Sequence, residues 1–330
     1  MRTESDIWHL VVVPTPYRVG PANVYVLDDG PLTLFDCGPN TPAAMNALRL
    51  GMAGLGLALE QVARVVISHG HPDHYGLAPA IQEASGAQVF VGEHDLPKIN
   101  ERRTIFETGA LLMEAGIPME VLVDMGERDR KMGDLHPPIE HAIPLSGGER
   151  FQFDDFVLEA MHLPGHTSGH ICLLEPERRI LFAGDTLLLH ISPNPLLEPR
   201  PDDPTVRRKS LVEYLHTLDV LESLELTEVW PGHGEPILDP PATIRQIKEH
   251  HQERKERLAE RLDGDGKSPF QLAREMWQNL EGFDNFLAVS EVVAHLDLLE
   301  MEGRAEQVAK DGVAFYRRPS DARTAGGSAG

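Results

Sequence analysis

The strongest constraint on this chain is the segment His69-Gly70-His71-Pro72-Asp73-His74, in which four of six residues carry metal-binding side chains. Neutral imidazole is the commonest metal ligand in proteins, and carboxylate oxygen suits a harder cation or a bridging position. Without a bound cation these side chains would crowd and repel one another. His69 and His71 project to the same side of an extended segment, while Asp73 and His74 lie beyond Pro72, where the chain can turn. One loop can therefore serve two adjacent ions.

The flanking sequence predicts where this loop lies. Val62 to Ser68 is a short β-branched apolar run and predicts a buried strand, whereas Tyr75 to Ser85 has helical spacing and stops at Gly86. The loop thus follows the carboxyl end of a strand, where open α/β sheets place their sites.

Three further candidate ligands, His166, Asp185 and His233, each follow a strand-like segment and sit in a glycine-containing turn. A lone histidine or aspartate in such a turn more often caps or hydrogen-bonds than binds a metal. Taken with the His69 to His74 loop, however, four strand ends converge on one chemistry. We therefore interpret the whole set as a metal site.

The motifs in their order resemble those of the metallo-β-lactamase superfamily, and the match spans residues 23–235: His69-x-His71-x-Asp73-His74, Pro164-Gly165-His166-Thr167-x-Gly169-His170, Gly184-Asp185-Thr186 and Pro231-Gly232-His233-Gly234. The resemblance implies an α/β fold, a four-layer αβ/βα sandwich. It also implies two metal sites, with His69, His71 and His166 on the first ion, Asp73, His74 and His233 on the second, and Asp185 bridging both. We call these the first and second metal sites.

Two details of the resemblance concern the branch of the superfamily. Intact Asp185 and His74 favour the hydroxyacylglutathione-hydrolase-like enzymes over true β-lactamases. The chain has no obvious C-terminal Lys/Arg-rich glutathione pocket, so a glutathione thioester is a weaker hypothesis that stays open.

Asp36, in a segment resembling the family's first hairpin, would orient a ligand histidine by accepting its free N–H, and a plain turn carboxylate is an equal alternative.

A dinuclear site of this kind predicts a metal-dependent hydrolase. Two divalent ions roughly 3.5–4 Å apart would lower the pKa of a shared water towards about 7, so that a bridging hydroxide is the expected nucleophile. Asp73 and Asp185 are the candidate catalytic carboxylates, and His190 is a third candidate that could equally be a surface histidine. Zinc is the expected metal, although iron or manganese would accept the same ligands.

The substrate is predicted from two less specific segments. A helical insertion at about residues 95–140 contains the apolar, Met-rich stretch Ile105 to Met125, which would form a lid and a hydrophobic acyl pocket. A helical hairpin merely packed on the sandwich is an equal alternative. The proline-rich loop His190 to Pro204 would form a fixed wall. We therefore expect an apolar acyl ester, thioester or lactone, with a phosphodiesterase or endoribonuclease as the alternative.

The composition changes after Pro240, which divides the chain into a catalytic domain at 1–240, a C-terminal module at 241–318 and a disordered tail at 319–330. Ala242 to Leu262 predicts an amphipathic helix. Two further helices at 268–280 and 290–302, followed by a hairpin around Asp311-Gly312, give a winged-helix order. This order resembles the C-terminal module of a lactamase-like branch of the superfamily.

Charge argues against a nucleic-acid partner, since the formal net charge is -22. The short basic runs Arg102-Arg103 and Arg207-Arg208-Lys209 are interpreted as solvated helix faces. On the last helix, we expect exposed acids where a recognition helix would need basic residues, namely at Glu291, Asp297, Glu300 and Glu302. The module is therefore predicted to pack or to form a homodimer.

Two cysteines, Cys37 and Cys172, predict a reduced compartment and a packing role rather than a disulfide. No basic region followed by an apolar stretch begins the chain, and no run of eighteen apolar residues occurs. These features predict a cytoplasmic enzyme with a small-molecule substrate and no membrane partner.

Overall fold

The computed structural model describes residues 8–100, 108–131, 133–135 and 137–319. Its first sheet consists of Trp8–Val13 (β1), Ala22–Leu27 (β2), Thr33–Phe35 (β3), Arg64–Ile67 (β4), Gln88–Gly92 (β5) and Ala142–Leu145 (β6), side by side in that order. The second sheet consists of Arg150–Gln152 (β7), Val157–His162 (β8), Ile171–Glu175 (β9), Ile180–Gly184 (β10) and Glu228–Pro231 (β11), in the spatial order β11-β10-β9-β8-β7.

The α-helices of the described residues are Pro42–Gly54 (α1), Pro72–Tyr75 (α2), Ala78–Ser85 (α3), Leu96–Asn100 (α4), Gly109–Glu114 (α5), Met119–Lys131 (α6), Ser210–Ser223 (α7), Pro240–Ala259 (α8), Pro269–Met276 (α9) and Phe283–Met301 (α10). Short 3-10 helices lie at Leu59–Gln61 and Gly133–Leu135, and a hairpin of Glu306–Lys310 (β12) and Val313–Arg317 (β13) closes the described chain. The N-caps follow the sequence: Thr41 caps α1 and Asp239 caps α8, each before a proline.

Alternating side chains on the central strands produce the layers. On β2, Val24 and Val26 pack outward with residues of α1 and α3, while Tyr25 and Leu27 lie between the sheets. On β9, Cys172 and Leu174 pack outward against residues of α7 and α8. Because both faces of both sheets are covered, the chain is a four-layer αβ/βα sandwich, which confirms the predicted fold.

Strand direction brings the predicted site segments to one edge. Strands β3, β4, β5 and β6 are mutually parallel, and β10 is parallel to β11. The carboxyl ends of β3 and β4 precede Asp36 and His69, and those of β10 and β11 precede Asp185 and His233. Parallel neighbours end at the same edge, so these residues lie close together.

The C-terminal segment has the predicted order of elements but shifted helix bounds. In α8, Ile244, Ile247 and Leu258 are buried as the spacing predicted. Helix α9 ends at Met276, and α10 begins at Phe283 rather than at 290. Gly282, with φ +50°, permits the turn directly into α10. The hairpin turn carries left-handed Asp311 and Gly312, as the sequence predicted.

The prediction of exposed acids along the last helix is wrong for two of its four residues. Glu291 and Asp297 are buried, at 4% and 1% exposure. Asp297 accepts two hydrogen bonds of 2.5 Å from the guanidinium of Arg207, and Glu291 accepts one of 2.6 Å from Arg254. A carboxylate leaves water when a bidentate arginine compensates it, and the spacing of acids along one helix does not show such a partner.

The basic run Arg207-Arg208-Lys209 is likewise not a solvated helix face. It precedes α7, and Arg208 is 4% exposed and bonds Glu198 and Glu213. These arginines join elements of the chain instead of presenting positive charge to a polyanion.

The predicted insertion packs against the C-terminal helices. Leu112, Ala115 and Met125 share a buried cluster with Leu258 of α8 and Leu272 of α9. Met113 and Met119, by contrast, are 45% and 60% exposed. The observed packing is therefore closer to the alternative of a packed helical hairpin, although this hairpin packs on the C-terminal helices rather than on the sandwich.

Several predictions fall outside the described residues: positions 105–107 of the lid stretch, Arg102-Arg103, and 320–330 of the tail. Within the described ranges, none of the helices combines the length and hydropathy needed to cross a bilayer. The domain boundaries and the winged-helix assignment stay predictions.

Candidate metal centre

The loop after β4 turns because of its own sequence. His69 continues from the strand, and Pro72 occupies the first position of α2, where its missing N–H is no loss. The single turn of α2 then carries Asp73 and His74. One short segment consequently presents histidines in two directions.

The first metal site is a cluster of three imidazole nitrogens. His69 Nε2 lies 2.8 Å from His71 Nδ1, and His71 Nδ1 lies 3.0 Å from His166 Nε2. Burial and the neighbouring histidines hold the pKa of His69 well below its ordinary value, which keeps the ring neutral. Neutral rings with converging lone pairs are the state in which histidine binds a cation.

The second metal site joins Asp73, His74 and His233. His233 Nε2 lies 3.5 Å from Asp73 Oδ2, and His74 Nε2 lies 3.9 Å from Asp73 Oδ1. Their ligand atoms lie within 4.8 Å of one another, as do those of the first metal site. Donors this close, buried and of mixed nitrogen and oxygen type can surround one ion.

Asp185 lies between the two sites. One of its oxygens is 3.5 Å from His74 Nε2, and the other is 3.8 Å from His166 Nε2 and 3.6 Å from His233 Nε2. Burial raises the pKa of Asp185, but the charges of His74 and His233 outweigh burial and hold it well below its ordinary value. An ionised carboxylate in this position can bridge two ions.

Two unpartnered atoms test whether cations fit. Asp185 Oδ1 and His233 Nε2 are buried and have no hydrogen-bond partner among the described residues. Such an atom costs about 1–3 kcal/mol when left unsatisfied. Both atoms belong to the ligand groups of the two metal sites, where a divalent ion would be their partner. The donor set therefore fits two ions.

The ligands are oriented from behind. Asp36 accepts a 2.7 Å hydrogen bond from His74 Nδ1 and two more from the backbone and hydroxyl of Ser68. His233 Nδ1 donates to the carbonyl of Pro21 at 2.8 Å. The geometry thus favours the orienting role for Asp36 over a plain turn carboxylate, because each bond leaves the opposite ring nitrogen free for a metal.

The sequence interpretation missed Asp95, which ties two ligand loops together. Its carboxylate accepts from Gly70 N at 2.8 Å, from Thr167 Oγ1 at 2.7 Å and from Gly169 N at 2.9 Å. Asp95 follows β5, so the strand-end rule that found the other residues could have found it too.

His170 is a second residue to which no role was assigned. Its ring stacks on that of His69, with centroids 4.9 Å apart, and its Nε2 accepts the backbone N–H of Asp185 at 3.2 Å. Burial lowers its pKa to about 3, so this ring is a neutral acceptor that holds the bridging residue in place.

The structure does not bring His190 to the other seven candidates. It is exposed, and among the described residues no hydrogen bond or ion pair joins it to them. It lines a cavity of about 370 Å³ between the loop after Asp185 and α8. Its catalytic role stays a prediction.

A second cavity, of about 230 Å³, shares Arg254 with the first and adds apolar side chains of the C-terminal segment. Its apolar lining includes Trp277, Leu280 and Leu287. The proline-rich loop contributes Asn194 to this cavity. The wall predicted for that loop therefore faces the C-terminal helices.

Comparison with known proteins gives consistent results. A family profile described as the metallo-beta-lactamase superfamily matches residues 17–233. The chain is 33% identical to the probable metallo-hydrolase YqjP of Bacillus subtilis, over 92% of this chain and 94% of that protein. A crystal structure of a metallo-beta-lactamase family protein from Thermus thermophilus superposes with a TM-score of 0.80 at 32% identity, covering 95% of this chain and 99% of that one.

A more distant relative has a more specific name. An atrochrysone carboxyl ACP thioesterase of Aspergillus fumigatus is 23% identical over 73% of this chain and 44% of that protein.

Proposed function

The chain belongs to the metallo-β-lactamase superfamily and is a metallo-hydrolase of that family, and we propose that it cleaves ester or thioester bonds with two divalent ions. One observation carries the proposal. Seven buried or half-buried side chains form two ligand groups, and Asp185 lies within 4 Å of histidines from both. A purely structural role for the cluster would leave unexplained why Asp185 Oδ1 and His233 Nε2 are buried without a hydrogen-bond partner among the described residues.

The roles follow from the contacts. His69, His71 and His166 would hold the first ion, and Asp73, His74 and His233 the second, with Asp185 shared. Two divalent ions held there would supply a hydroxide nucleophile near neutral pH and positive charge for the developing oxyanion. With one carboxylate oxygen on the second ion, Asp73 would have its other oxygen available to accept a proton or pass it to the leaving group. Asp36, Asp95 and His170 hold the ligands and the bridging loop in place.

An apolar acyl substrate is supported by two observations. The Aspergillus relative is named a thioesterase. The cavity beside the proline-rich loop offers the side chains of Trp277, Leu280 and Leu287. We place the acyl group there rather than against Met113 and Met119, because those two methionines are exposed.

The metal and the assembly are also proposals. We expect about two ions per chain, zinc first, with iron or manganese as chemically equivalent occupants. Elemental analysis of gently purified protein measures this, and a stoichiometry near zero would contradict the dinuclear proposal. The cytoplasmic location and a homodimer stay predictions, and light scattering on purified protein tests the latter.

The decisive experiment is a substrate panel of acyl-thioesters, lactones, aryl esters, phosphodiesters and single-stranded RNA. Asp185→Asn is the matched control, since it keeps the shape of the side chain but removes the bridging charge. We expect thioester or ester cleavage by the wild type, and a loss of at least about a hundredfold in kcat for the variant. Cleavage confined to phosphodiesters or RNA would replace the proposal by the phosphodiesterase or endoribonuclease alternative.

A further inference from the structure

Helix α10 is connected to the first metal site through a single residue of the proline-rich loop. His166 Nδ1 donates a 3.2 Å hydrogen bond to the backbone carbonyl of Asn194. A neutral imidazole carries one ring proton, so this bond places it on Nδ1 and leaves Nε2 facing His71 at 3.0 Å. The position of the Asn194 carbonyl therefore sets the tautomer and the direction of a metal ligand.

The side chain of Asn194 fixes that carbonyl to α10. Its Nδ2 donates to the carbonyl of Leu287 at 3.0 Å and to Glu291 Oε2 at 3.2 Å. The same loop is held at a second point, where Leu197 N donates to Ser290 Oγ at 3.0 Å. Both anchors lie on one face of α10, so the loop follows the helix.

Glu291 is itself held rigidly. It is 4% exposed, and its other oxygen accepts a 2.6 Å hydrogen bond from Arg254 of α8. The charge is thus compensated while one oxygen stays directed at Asn194. Arg254 also lies over the ring of Trp277, at 5.5 Å from its centroid.

Two buried histidines beside Glu291 complete the anchor. His295 Nδ1 donates to the carbonyl of Glu291 at 2.7 Å, and His251 Nδ1 lies 3.2 Å from His295 Nε2. His251 Nε2 then lies 2.7 Å from Ser192 Oγ, on the same loop as Asn194. With both rings neutral, the Ser192 hydroxyl donates to His251, His251 donates to His295, and His295 donates to the carbonyl of Glu291 on α10.

His251, Glu291 and His295 also lie close enough to hold a metal ion. The contacts favour the hydrogen-bonded interpretation, because each ring nitrogen already has a partner and Arg254 places a positive charge against Glu291. A cation bound to one atom of each residue would have to displace an existing partner of that atom.

We propose that Asn194 is a positioning residue for the first metal site, and that α10 sets its position through Glu291. The inference rests on the proposed dinuclear site. It assigns the C-terminal helices a part in metal binding: they hold the carbonyl that orients His166. The residues of the second metal site have separate supports in Asp36 and Pro21, so only one of the two ions should depend on α10.

The test measures ion affinity by chelator competition and by the absorption spectrum of Co²⁺-loaded full-length protein. His166→Ala and His233→Ala serve as references for the loss of the first and the second ion. We expect Asn194→Ala and Glu291→Ala to weaken the ion lost in His166→Ala by about tenfold to a hundredfold and to leave the other ion unchanged. Glu291→Gln should lie between the wild type and Glu291→Ala, because its one amide oxygen can accept from Asn194 or from Arg254 but not from both.

Asn285→Ala is the matched control. Asn285 is a buried asparagine on the same helix whose side chain, among the described residues, bonds only Gly282 of the adjoining turn, so its loss should destabilise the fold without changing ion affinity. Unchanged ion affinity in Asn194→Ala, or an equal loss of affinity in Asn285→Ala, would overturn the positioning role of Asn194. The proposed function would still stand in either case if the wild type binds two ions. A wild type that binds no ion would overturn the proposed function. A third ion lost in His295→Gln would assign the histidine cluster to a metal and overturn the hydrogen-bonded anchor.

Discussion

At the scale of single residues, the site shows how neighbours decide what a histidine does. His74 is buried, which lowers its pKa, but the carboxylates of Asp185, Asp36 and Asp73 together raise it well above the ordinary value. His69 has histidine neighbours instead and is held neutral. These two histidines, five positions apart, thus lie in opposite electrostatic surroundings, and the carboxylates around His74 favour a cation there.

We expect Asp36→Asn to weaken the second ion about tenfold or more, because the neutral amide is a poorer partner for His74 Nδ1. Asparagine tolerates the left-handed backbone at this position, where φ is +59°. The fold should therefore survive, and circular dichroism is the control. Ion affinity measured by chelator competition checks the prediction, and wild-type affinity for both ions would contradict it.

The two cysteines should be unreactive in the folded protein. Both are buried and form no disulfide, and burial raises the pKa of Cys172 to about 12 although its hydrogen bond with Thr186 lowers it. Since the thiolate is the reactive form, a raised pKa leaves almost none of it at neutral or mildly alkaline pH. Ellman's reagent at pH 8 should report no free thiol in the native protein and two after denaturation. One rapidly titrating thiol in the native state would refute this.

At the scale of elements, the site depends on how closely strand ends approach one another. A Cβ atom on Gly92, at the end of β5, would lie 1.8 Å from the carbonyl oxygen of Gly169. One on Gly232, after β11, would lie 2.5 Å from Asp185 Oδ1 and 2.8 Å from His74. Glycine at these two positions therefore lets the loops that carry the ligands come into contact.

Helix α10 is held to the rest of the chain by the buried pair of Asp297 and Arg207. Removing one partner leaves an uncompensated charge, so we expect Asp297→Ala to cost about 3 kcal/mol or more of unfolding free energy. Urea denaturation checks this. Asp202→Ala, which removes an exposed partner of Arg200, is the control and should leave the midpoint near the wild type. Equal midpoints for all three proteins would show that the buried pair contributes little.

At the scale of the whole molecule, the insertion, the proline-rich loop and the C-terminal helices share one apolar cluster. Leu112 of α5, Leu196 and Leu197 of the loop, and Leu272 and Val289 of the C-terminal segment are all buried in it. The C-terminal segment thus covers apolar residues of the insertion and of the proline-rich loop, and α8 also packs on the outer face of the second sheet.

A truncated chain of residues 1–240 should consequently expose these clusters. We expect it to aggregate or to bind a hydrophobic dye, and to hold the first ion poorly because the Asn194 loop loses its anchors. Gel filtration and metal analysis measure both effects. A variant ending at Pro319 is the control, since it loses only the predicted tail. A monodisperse 1–240 chain with two ions would contradict the prediction.

Much of the centre was predictable because its signal is local. The seven ligand candidates lie in loops that follow four strands, and residue type together with strand direction was enough to gather them at one edge. Asp95 obeys the same rule but was missed, because a single carboxylate after a strand carries no metal signature of its own. His170 lay inside a quoted motif, yet only its stacking on His69 shows what it does.

The sequence by itself determined the chemistry of the donor set, since ligand types and turn glycines are properties of neighbouring residues, and the resemblance of its motifs to a known family implied the layered fold. Only the tertiary structure decided which distant charges compensate each other and what supports the ligands. Asp297 and Arg207 are 90 positions apart, and Asn194 and Glu291 are 97 positions apart. Burial makes such charges tolerable only in pairs, and no local pattern reveals a partner that folding brings from elsewhere in the chain.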